Sequence, residues 1–569
     1  MTRIVADIET DSKASKIWCL VTQDLDTKEV KVWQETSEEL KEYLSKAEVI
    51  IGHNFINFDA PILNRLWNTK IRLSQVFDTL ILSRLLNPVI EDGHSLDSWG
   101  ERLGLNKIDY SAIWAWMTDT FLTKDNRNLP FDQPVESLLH HYCKRDVELT
   151  GRLYEYLRKE QEKTKTTEEA LQLEFSVQAI IAEQERNGFK LDIPYAMQLL
   201  SEIKARMSAI DADMESVFPT IVRERFSEKT GKQLKDEVIK FNPGSRKQIH
   251  ERLADKYGWV PTKMTEKGTP IVDEDVLSKL EYPEAKFLAE YFMLQKRASM
   301  LESWLEKVGK DGRVHGKVIT IGAVTGRCTH SDPNMAQVPA VRAEYGKEFR
   351  SCWNVEKGNV LVGTDLSGIE RRCFAHYLND PDYTNEVVNG DVHTRNQHAF
   401  GVDSRDLAKT ILYATLYGAS AAKVGRIIGK GDKDGKQIID NFCKAVPAYK
   451  RLKEKVERLA EKGSIPGLDG RRLQIRSTHS ALNTLLQSAG AIIAKKWMVI
   501  ARVNLRKAKV PYKQVAFVHD ELQIEVQERY AEQVGNIMVE SAAQAGVELG
   551  FRCPVGAEYK IGRNWCECH

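Results

Sequence analysis

The sequence predicts a multidomain protein that is α/β in its first part and α+β beyond it. Three observations carry this. The chain has 569 residues, which at roughly 100–200 residues per domain means about three to five domains or subdomains. Short apolar runs that end in acids recur near both ends of the chain, as in Ile4-Val5-Ala6 before Asp7 and Val360-Leu361-Val362 before Asp365. Between them, from Ala170 to Met300, the pattern is mostly helical, with amphipathic stretches rich in Lys, Arg and Glu.

In chain order, Thr2–Ile8 and Val49–Gly52 read as strands and Val135–Lys159 as a long helix. The polar stretch Glu160–Glu169 has no apolar anchors and reads as a connector or a solvated helix end. Residues 310–569 mix helices with apolar strands at Val360–Thr364, Val515–Val518 and Leu522–Val526. The loop Gly429–Gly435 lacks the GK[ST] ending of a phosphate-binding loop and reads as a surface turn.

Composition excludes several classes. Apolar residues make up 42% and charged residues 29%, as in ordinary globular proteins. No window approaches the ~20 apolar residues of a membrane span, and the first strand is too short for a signal peptide. Net charge is only +1, so nucleic-acid binding needs local basic surfaces. The nine cysteines are scattered, which fits reduced cytosolic thiols. Cys566-Glu567-Cys568-His569 lacks a second half-site for zinc.

Asp7 and Glu9 stand two apart on a strand, so both carboxylates point to one face. Alone, the pair reads as an exposed strand end. Gly52-His53-Asn54-Phe55-Ile56-Asn57-Phe58-Asp59 then follows a second strand and ends in another acid, and Tyr142 and Asp146 lie four apart on one helix face. Together these resemble the DEDD exonuclease superfamily in its tyrosine class. The resemblance implies two metal ions held by Asp7, Glu9, Asp59 and Asp146, with Tyr142 orienting the attacking water. Hard oxygen ligands suit such metal-assisted phosphodiester hydrolysis.

A second set lies further on. Asp365 and Asp520 each end an apolar strand, and His519-Asp520-Glu521 sits between two apolar runs as in a tight hairpin. Either acid alone reads as a turn former. Between them Ser404–Gly418 reads as a helix with caps at both ends. A four-residue step drifts only about 40° around a helix, so Arg405, Lys409, Tyr413 and Tyr417 form one stripe. Two cations followed by two aromatics suit a ligand with a triphosphate at one end and a base at the other.

These segments resemble motifs A, B and C of the family A (Pol I-like) DNA polymerases. Gly322–Arg327, Leu468-Asp469-Gly470-Arg471, Ala481–Gly490, Tyr291–Arg297 and Asn564–His569 extend the similarity to nearly the whole chain and point to the T-seven-like phage replicative branch. The resemblance implies an RNase H-like exonuclease domain and a right-hand polymerase domain with palm, fingers and thumb. The expected boundaries are 1–165 for the exonuclease, 166–309 for connector and thumb, 310–390 for the first part of the palm, 391–465 for the fingers and 466–569 for the second part of the palm. It implies template-directed DNA synthesis with 3′–5′ proofreading in phage genome replication, in the host cytoplasm.

By the same resemblance, Asp365 and Asp520 bind two Mg²⁺ ions, with Mn²⁺ as a substitute and the Leu366 carbonyl as a further ligand. Lys409, Arg405 and His393 hold the incoming triphosphate, Glu370 is the gate against a 2′-OH, and Tyr413, beside Tyr417, implies ready acceptance of dideoxynucleotides. Arg327, Asn483 and Gln487 feel the minor-groove edge, Lys296 and Arg471 join the DNA contacts, and Glu521 and His519 support the primer end. Glu370 and the exonuclease set argue against a single-subunit RNA polymerase. Partners implied are primer-template DNA, dNTPs, a helicase or primase and a single-strand-binding protein, around a monomer. The chain enters the exonuclease motif by residue 7, so the 5′-nuclease domain of bacterial Pol I is not expected here. Only about Pro219–Lys240 stands where relatives carry a long thioredoxin-docking insertion. Thioredoxin dependence is therefore not expected to carry over. The enzyme is processive alone, uses another partner, or works distributively.

Overall fold

Near-continuous burial along Arg3–Thr10 makes β1 the centre of a five-stranded sheet. Its neighbours are β2 (Ile17–Asp24), β3 (Val30–Trp33), β4 (Val49–Gly52) and β5 (Val76–Asp78), in the order β3-β2-β1-β4-β5. β1 is antiparallel to β2 and parallel to β4, and β4 is parallel to β5. The computed structural model describes residues 2–110, 136–227 and 229–568. The first strand runs two residues past its expected end, which brings Glu9 inside it.

The helix Glu136–Thr164 lies across β1 and β2, with Leu139, Cys143, Val147 and Leu153 buried against the sheet. Val135, where it was expected to begin, and His569 lie outside the described residues. The first half of the polar stretch Glu160–Glu169 is therefore a helix end. The connector shrinks to the three residues Lys165–Thr167, and the Thr167 side chain caps the helix Glu168–Asn187 by accepting from the Ala170 N–H.

The helices Ile193–Val217 and Pro283–Lys307 pack on each other. The helical expectation fails between them, where Ile221–Phe226 and Gln233–Ile239 form an antiparallel hairpin. Six- and seven-residue segments with β-branched ends are too short for a stable helix, and Gly231, with φ +65°, supplies the turn. Val222 and Val238 stand opposite each other and are both more than half exposed.

The last part is built on a four-stranded antiparallel sheet. Its order is Tyr512–Val518, Glu521–Gln527, Asn359–Leu366, Ala557–Gly562. Val360, Val362, Leu366, Leu522 and Ile524 face one core, which the helices Ala481–Lys507 and Ala531–Glu548 complete. Leu361 faces another core, with Trp353, Trp565 and Cys568. The Gly429–Gly435 loop is a turn only in its first half. The helix Asp432–Ala445 starts inside it, with Asp432 and Asp434 in the first turn, where the helix dipole favours acids.

The two parts are joined by a buried ion network. Glu174, fully buried on the helix Glu168–Asn187, accepts from Lys495 Nζ at 2.7 and 2.8 Å, and Arg471 Nη1 lies 2.8 Å away. Arg471 also pairs with Asp469 at 2.7 Å, and Thr167 Oγ1 donates to the Asp469 carbonyl at 2.6 Å. The nine cysteines are all free thiols. Among the described residues, no helix is long and apolar enough to cross a membrane.

Two candidate carboxylate sites

The pleat of β1 puts Asp7 and Glu9 on the face covered by the helix Glu136–Thr164. That helix supplies Tyr142 and Asp146 from one face. Asp59 opens the helix Asp59–Leu66, and its Oδ1 accepts from the Ile8 N–H at 3.1 Å, which ties it to β1. Cys143 Sγ reaches the Asp7 carbonyl at 3.4 Å and Asp7 Oδ2 at 3.5 Å. Asp78 shapes the approach to Asp59, because its carboxylate accepts from the backbone N–H groups of Asn54, Ile56 and Leu80. His53 has a structural place. Its ring lies 2.9 Å from Thr79 Oγ1 and 3.0 Å from the His94 carbonyl, and burial lowers its pKa to about 3.

The charge balance of this cluster is uneven. Glu9, Asp59 and Asp146 are buried. Burial first, and then the charge of Asp146, pushes Asp7 up to about 7. Burial and the neighbouring carboxylates raise Glu9 and Asp59 well above the usual range. Among the described residues, Lys107 answers them. Lys107 Nζ lies 2.6 Å from Asp146 Oδ2 and 4.8 Å from the centre of the Tyr142 ring. Burial works to lower the Lys107 pKa, but Asp146 and Tyr142 outweigh it and the net shift is upward. Lys107 belongs to no motif, and sequence reasoning missed it. Asp146 Oδ1 is buried without a hydrogen-bond partner among the described residues. The four carboxylates, the buried Asp146 Oδ1 among them, supply hard oxygen donors for divalent cations.

The second site forms where strands end. Asp365 lies at the end of Asn359–Leu366, and Asp520 follows His519, whose φ of +58° makes the hairpin turn. The Leu366 N–H donates to the Asp520 carbonyl at 3.1 Å and draws the two strand ends together. Glu521 and Glu558 stand opposite Asp365 on its two neighbouring strands. Desolvation, and then the charges of Asp520, Glu521 and Glu558, push Asp365 up to about 7. Burial raises Asp520 as well. Like charges gathered at one point are relieved by a cation between them, so this cluster also fits hard divalent ions.

The stripe helix is Arg405–Leu416, capped by the Ser404 side chain, and the chain leaves it at Gly418 with φ +79°. Tyr417 sits just past the last turn, yet its ring still stacks near that of Tyr413, with centroids 6.3 Å apart. Tyr417 Oη donates to Glu370 Oε1 at 2.8 Å, and Arg327 lies 3.7 Å from the same oxygen. This links the stripe to the segment that follows Asp365. Arg405 pairs with Asp391 at 3.0 Å, Lys409 is exposed, and His393 is buried with its Nε2 3.4 Å from Arg371.

The expected DNA contacts divide. Arg327, Asn483 and Gln487 are half-buried and His519 is exposed, while Lys296 is exposed and paired with Glu274 at 3.1 Å. Arg471 is a correction. It is 2% exposed, and its guanidinium is engaged by Glu174 and Asp469, so it has no surface to offer DNA. Gly326, with φ +75°, lies so close that an added Cβ would stand 2.8 Å from Arg471 Nη1. The next residue, Arg472, also turns to protein and donates to the Thr164 carbonyl at 3.0 Å.

Comparison with known proteins gives matches over both sites. A model described as DNA polymerase family A matches residues 221–567, and one described as 3′-5′ exonuclease matches residues 7–162. The DNA-directed DNA polymerase of Escherichia phage T7 is 31% identical over 710 aligned residues, which cover 100% of each chain. That of Enterobacteria phage T3 is also 31% identical, over 707 residues and 100% of each chain. DNA polymerase I of Aquifex aeolicus (strain VF5) is 28% identical, over 91% of this chain and 88% of that one. The fold is similar to that of the POL domain of Pol1 from M. smegmatis, solved in complex with DNA primer-template and dNTP. The TM-score is 0.80 at 20% identity, over 99% of this chain and 96% of that one.

Proposed function

The chain belongs to DNA polymerase family A, as a DNA-directed DNA polymerase with a 3′-5′ exonuclease domain, and from that premise we propose which residues do each reaction. Synthesis takes place at Asp365 and Asp520, and removal of 3′-terminal nucleotides at Asp7, Glu9, Asp59 and Asp146. The observation that supports this is the concentration of carboxylate at two sheet-borne points, each with more acid than base around it.

Enzymes of this family are metal-dependent, and Mg²⁺ is the ion we assign to both clusters. Bound there, it lowers the pKa of a hydroxyl or water and neutralises phosphate charge. The chain's own side chains do the rest. Asp365 and Asp520 hold their carboxylates at the strand ends, with the Leu366 carbonyl beside them. Arg405, Lys409 and His393 take the triphosphate of the incoming dNTP, and Tyr413 packs near its sugar and base. Glu370, held by Tyr417, stands where a 2′-OH would enter. Arg327, Asn483, Gln487 and His519 meet the primer-template, with Lys296 farther along it. In the other site Tyr142, next to Lys107, orients the attacking water.

The divisions 1–165, 166–309, 310–390, 391–465 and 466–569 are our assignment of exonuclease, connector and thumb, palm, fingers and second palm segment. We place the enzyme in phage genome replication in the host cytoplasm, as a monomer working with a helicase or primase and a single-strand-binding protein. The test is a matched pair of variants on a labelled primer-template. Asp520→Asn abolishes extension and keeps nucleotide removal, and Asp7→Ala does the reverse. A single variant that loses both activities while still folded refutes the division of labour.

A further inference from the structure

Glu521 follows Asp520 and stands directly across from Asp365 in the strand register. Cross-strand partners share a face of the sheet, so its carboxylate belongs to the same surface as the two aspartates. Yet Glu521 is buried, and its Oε1 accepts hydrogen bonds of 2.5 Å from both Gln523 Nε2 and Trp565 Nε1. Arg350 closes the arrangement. Its guanidinium lies 3.9 Å from Glu521 Oε2 and 4.4 Å from the centre of the Trp565 ring.

Trp565 opens a short 3-10 turn, Trp565–Cys568, packed against the strand that carries Asp365. Cys568 Sγ contacts the Leu361 carbonyl at 3.7 Å. Gly363, two residues before Asp365, makes room for this turn. A Cβ there would stand 2.5 Å from Gln523 Nε2 and 2.6 Å from Cys568 Cβ. The turn thus floors the row of residues that ends at Asp365.

A buried indole N–H usually finds an acceptor, and a backbone carbonyl suffices. Trp497 in this same chain donates to the Met538 carbonyl at 2.8 Å. Trp565 instead donates to the carboxylate that follows Asp520 and lies across from Asp365 in the strand register. A hydrogen bond to an ionised acceptor is shorter and stronger than a neutral one and fixes direction. We infer that Trp565 is a positioning residue for nucleotide incorporation. With Gln523 it fixes the Glu521 carboxylate under Asp365 and Asp520 and keeps it from swinging into the cleft. The inference rests on the assignment of Asp365 and Asp520 to synthesis, which Asp520→Asn tests separately.

The experiment is single-turnover incorporation by Trp565→Phe, which keeps the ring packing and removes the N–H. The expected result is about a tenfold fall in the maximal incorporation rate, the size of one charge-assisted hydrogen bond. Half-saturation by dNTP stays within about twofold, and exonuclease rate is unchanged. On a Glu521→Ala background the same change costs less than about twofold, because a residue acting through Glu521 has nothing left to position. An unchanged rate overturns the inference. So does a full additional loss on the Glu521→Ala background, or a parallel fall in exonuclease rate, since either marks a purely structural tryptophan. Incorporation retained by Asp520→Asn overturns the site assignment and the inference together.

Discussion

Replacing Asp7 with asparagine should stabilise the metal-free protein at alkaline pH, although it removes a carboxylate we propose to hold metal. Asp7 is held at about 7 against an ordinary 3.8, through burial and the charge of Asp146. The native state therefore keeps a proton that the unfolded chain has released. Between pH of about 4 and about 7, each rise in pH lowers the stability of the native state, and above 7 the full penalty is present. A shift of about three units corresponds to about 4 kcal/mol at roughly 1.4 kcal/mol per unit. Glu9, Asp59 and Asp146 share the repulsion, so removing one acid relieves only part of it, about 2–4 kcal/mol. For a unit of this size, 1 kcal/mol moves the melting temperature by about 2–4 °C. The N-terminal transition of Asp7→Asn should thus rise by roughly 5–10 °C at pH 8 in EDTA.

The assay is calorimetry or intrinsic fluorescence at pH 5 and pH 8, with EDTA and with Mg²⁺. At pH 5 the gap should shrink to less than half of its size at pH 8, because only about one of the roughly three units between the unfolded and native pKa has then been crossed. With Mg²⁺ at pH 8 the wild type should regain the difference, since binding to the native state alone stabilises by mass action and the variant has lost a ligand. Asp7→Asn no more stable than wild type at pH 8 in EDTA would refute the reasoning. An equal gain at pH 5 would refute it too, by pointing to packing instead of charge.

Two further outcomes follow from the same electrostatics. Lys107→Ala leaves Asp146 without its 2.6 Å partner and should lower metal-free stability at pH 8 by about 3 kcal/mol, as expected for half of a buried ion pair; Mg²⁺ should restore most of the loss in a thermal melt. Arg471→Met breaks the Glu174 network and should cost about 3 kcal/mol of stability while leaving primer-template affinity unchanged in a titration well below the melting temperature. A loss of affinity without a loss of stability would return Arg471 to the DNA surface.

The features that sequence reasoning placed well are those set by local period. Asp7 and Glu9 share a face because strands alternate, and Arg405, Lys409 and Tyr413 align because a helix turns by 3.6 residues. What it missed depends on partners far apart in the chain. Glu174 meets Lys495 across 321 positions. No window of sequence around Leu468–Arg471 tells a basic turn facing DNA from one folded onto a buried acid. Lys107 is an isolated cation in a polar stretch, and only the fold brings it to Asp146. The hairpin within Ile221–Ile239 reads as helix in the sequence because its charges mask short β-branched segments, and only the length of those segments marks them as strands.

The Glu174 network bears on how the two reactions share one chain. A fully buried carboxylate is costly unless several donors answer it, and here Lys495 and Arg471 do so from the part of the chain that carries Asp365 and Asp520. Glu174 itself lies on the helix that follows directly from the cover of the Asp7 site, across a connector of three residues. Thr167 and Thr164 add hydrogen bonds from that connector and the helix end before it to Asp469 and Arg472. Sliding the two parts past each other would strand Glu174 without its donors, at a cost comparable to the whole stability of a small domain. On the proposed assignment of the two reactions, a 3′ end that leaves one site for the other therefore moves between two points that this network holds at a fixed separation.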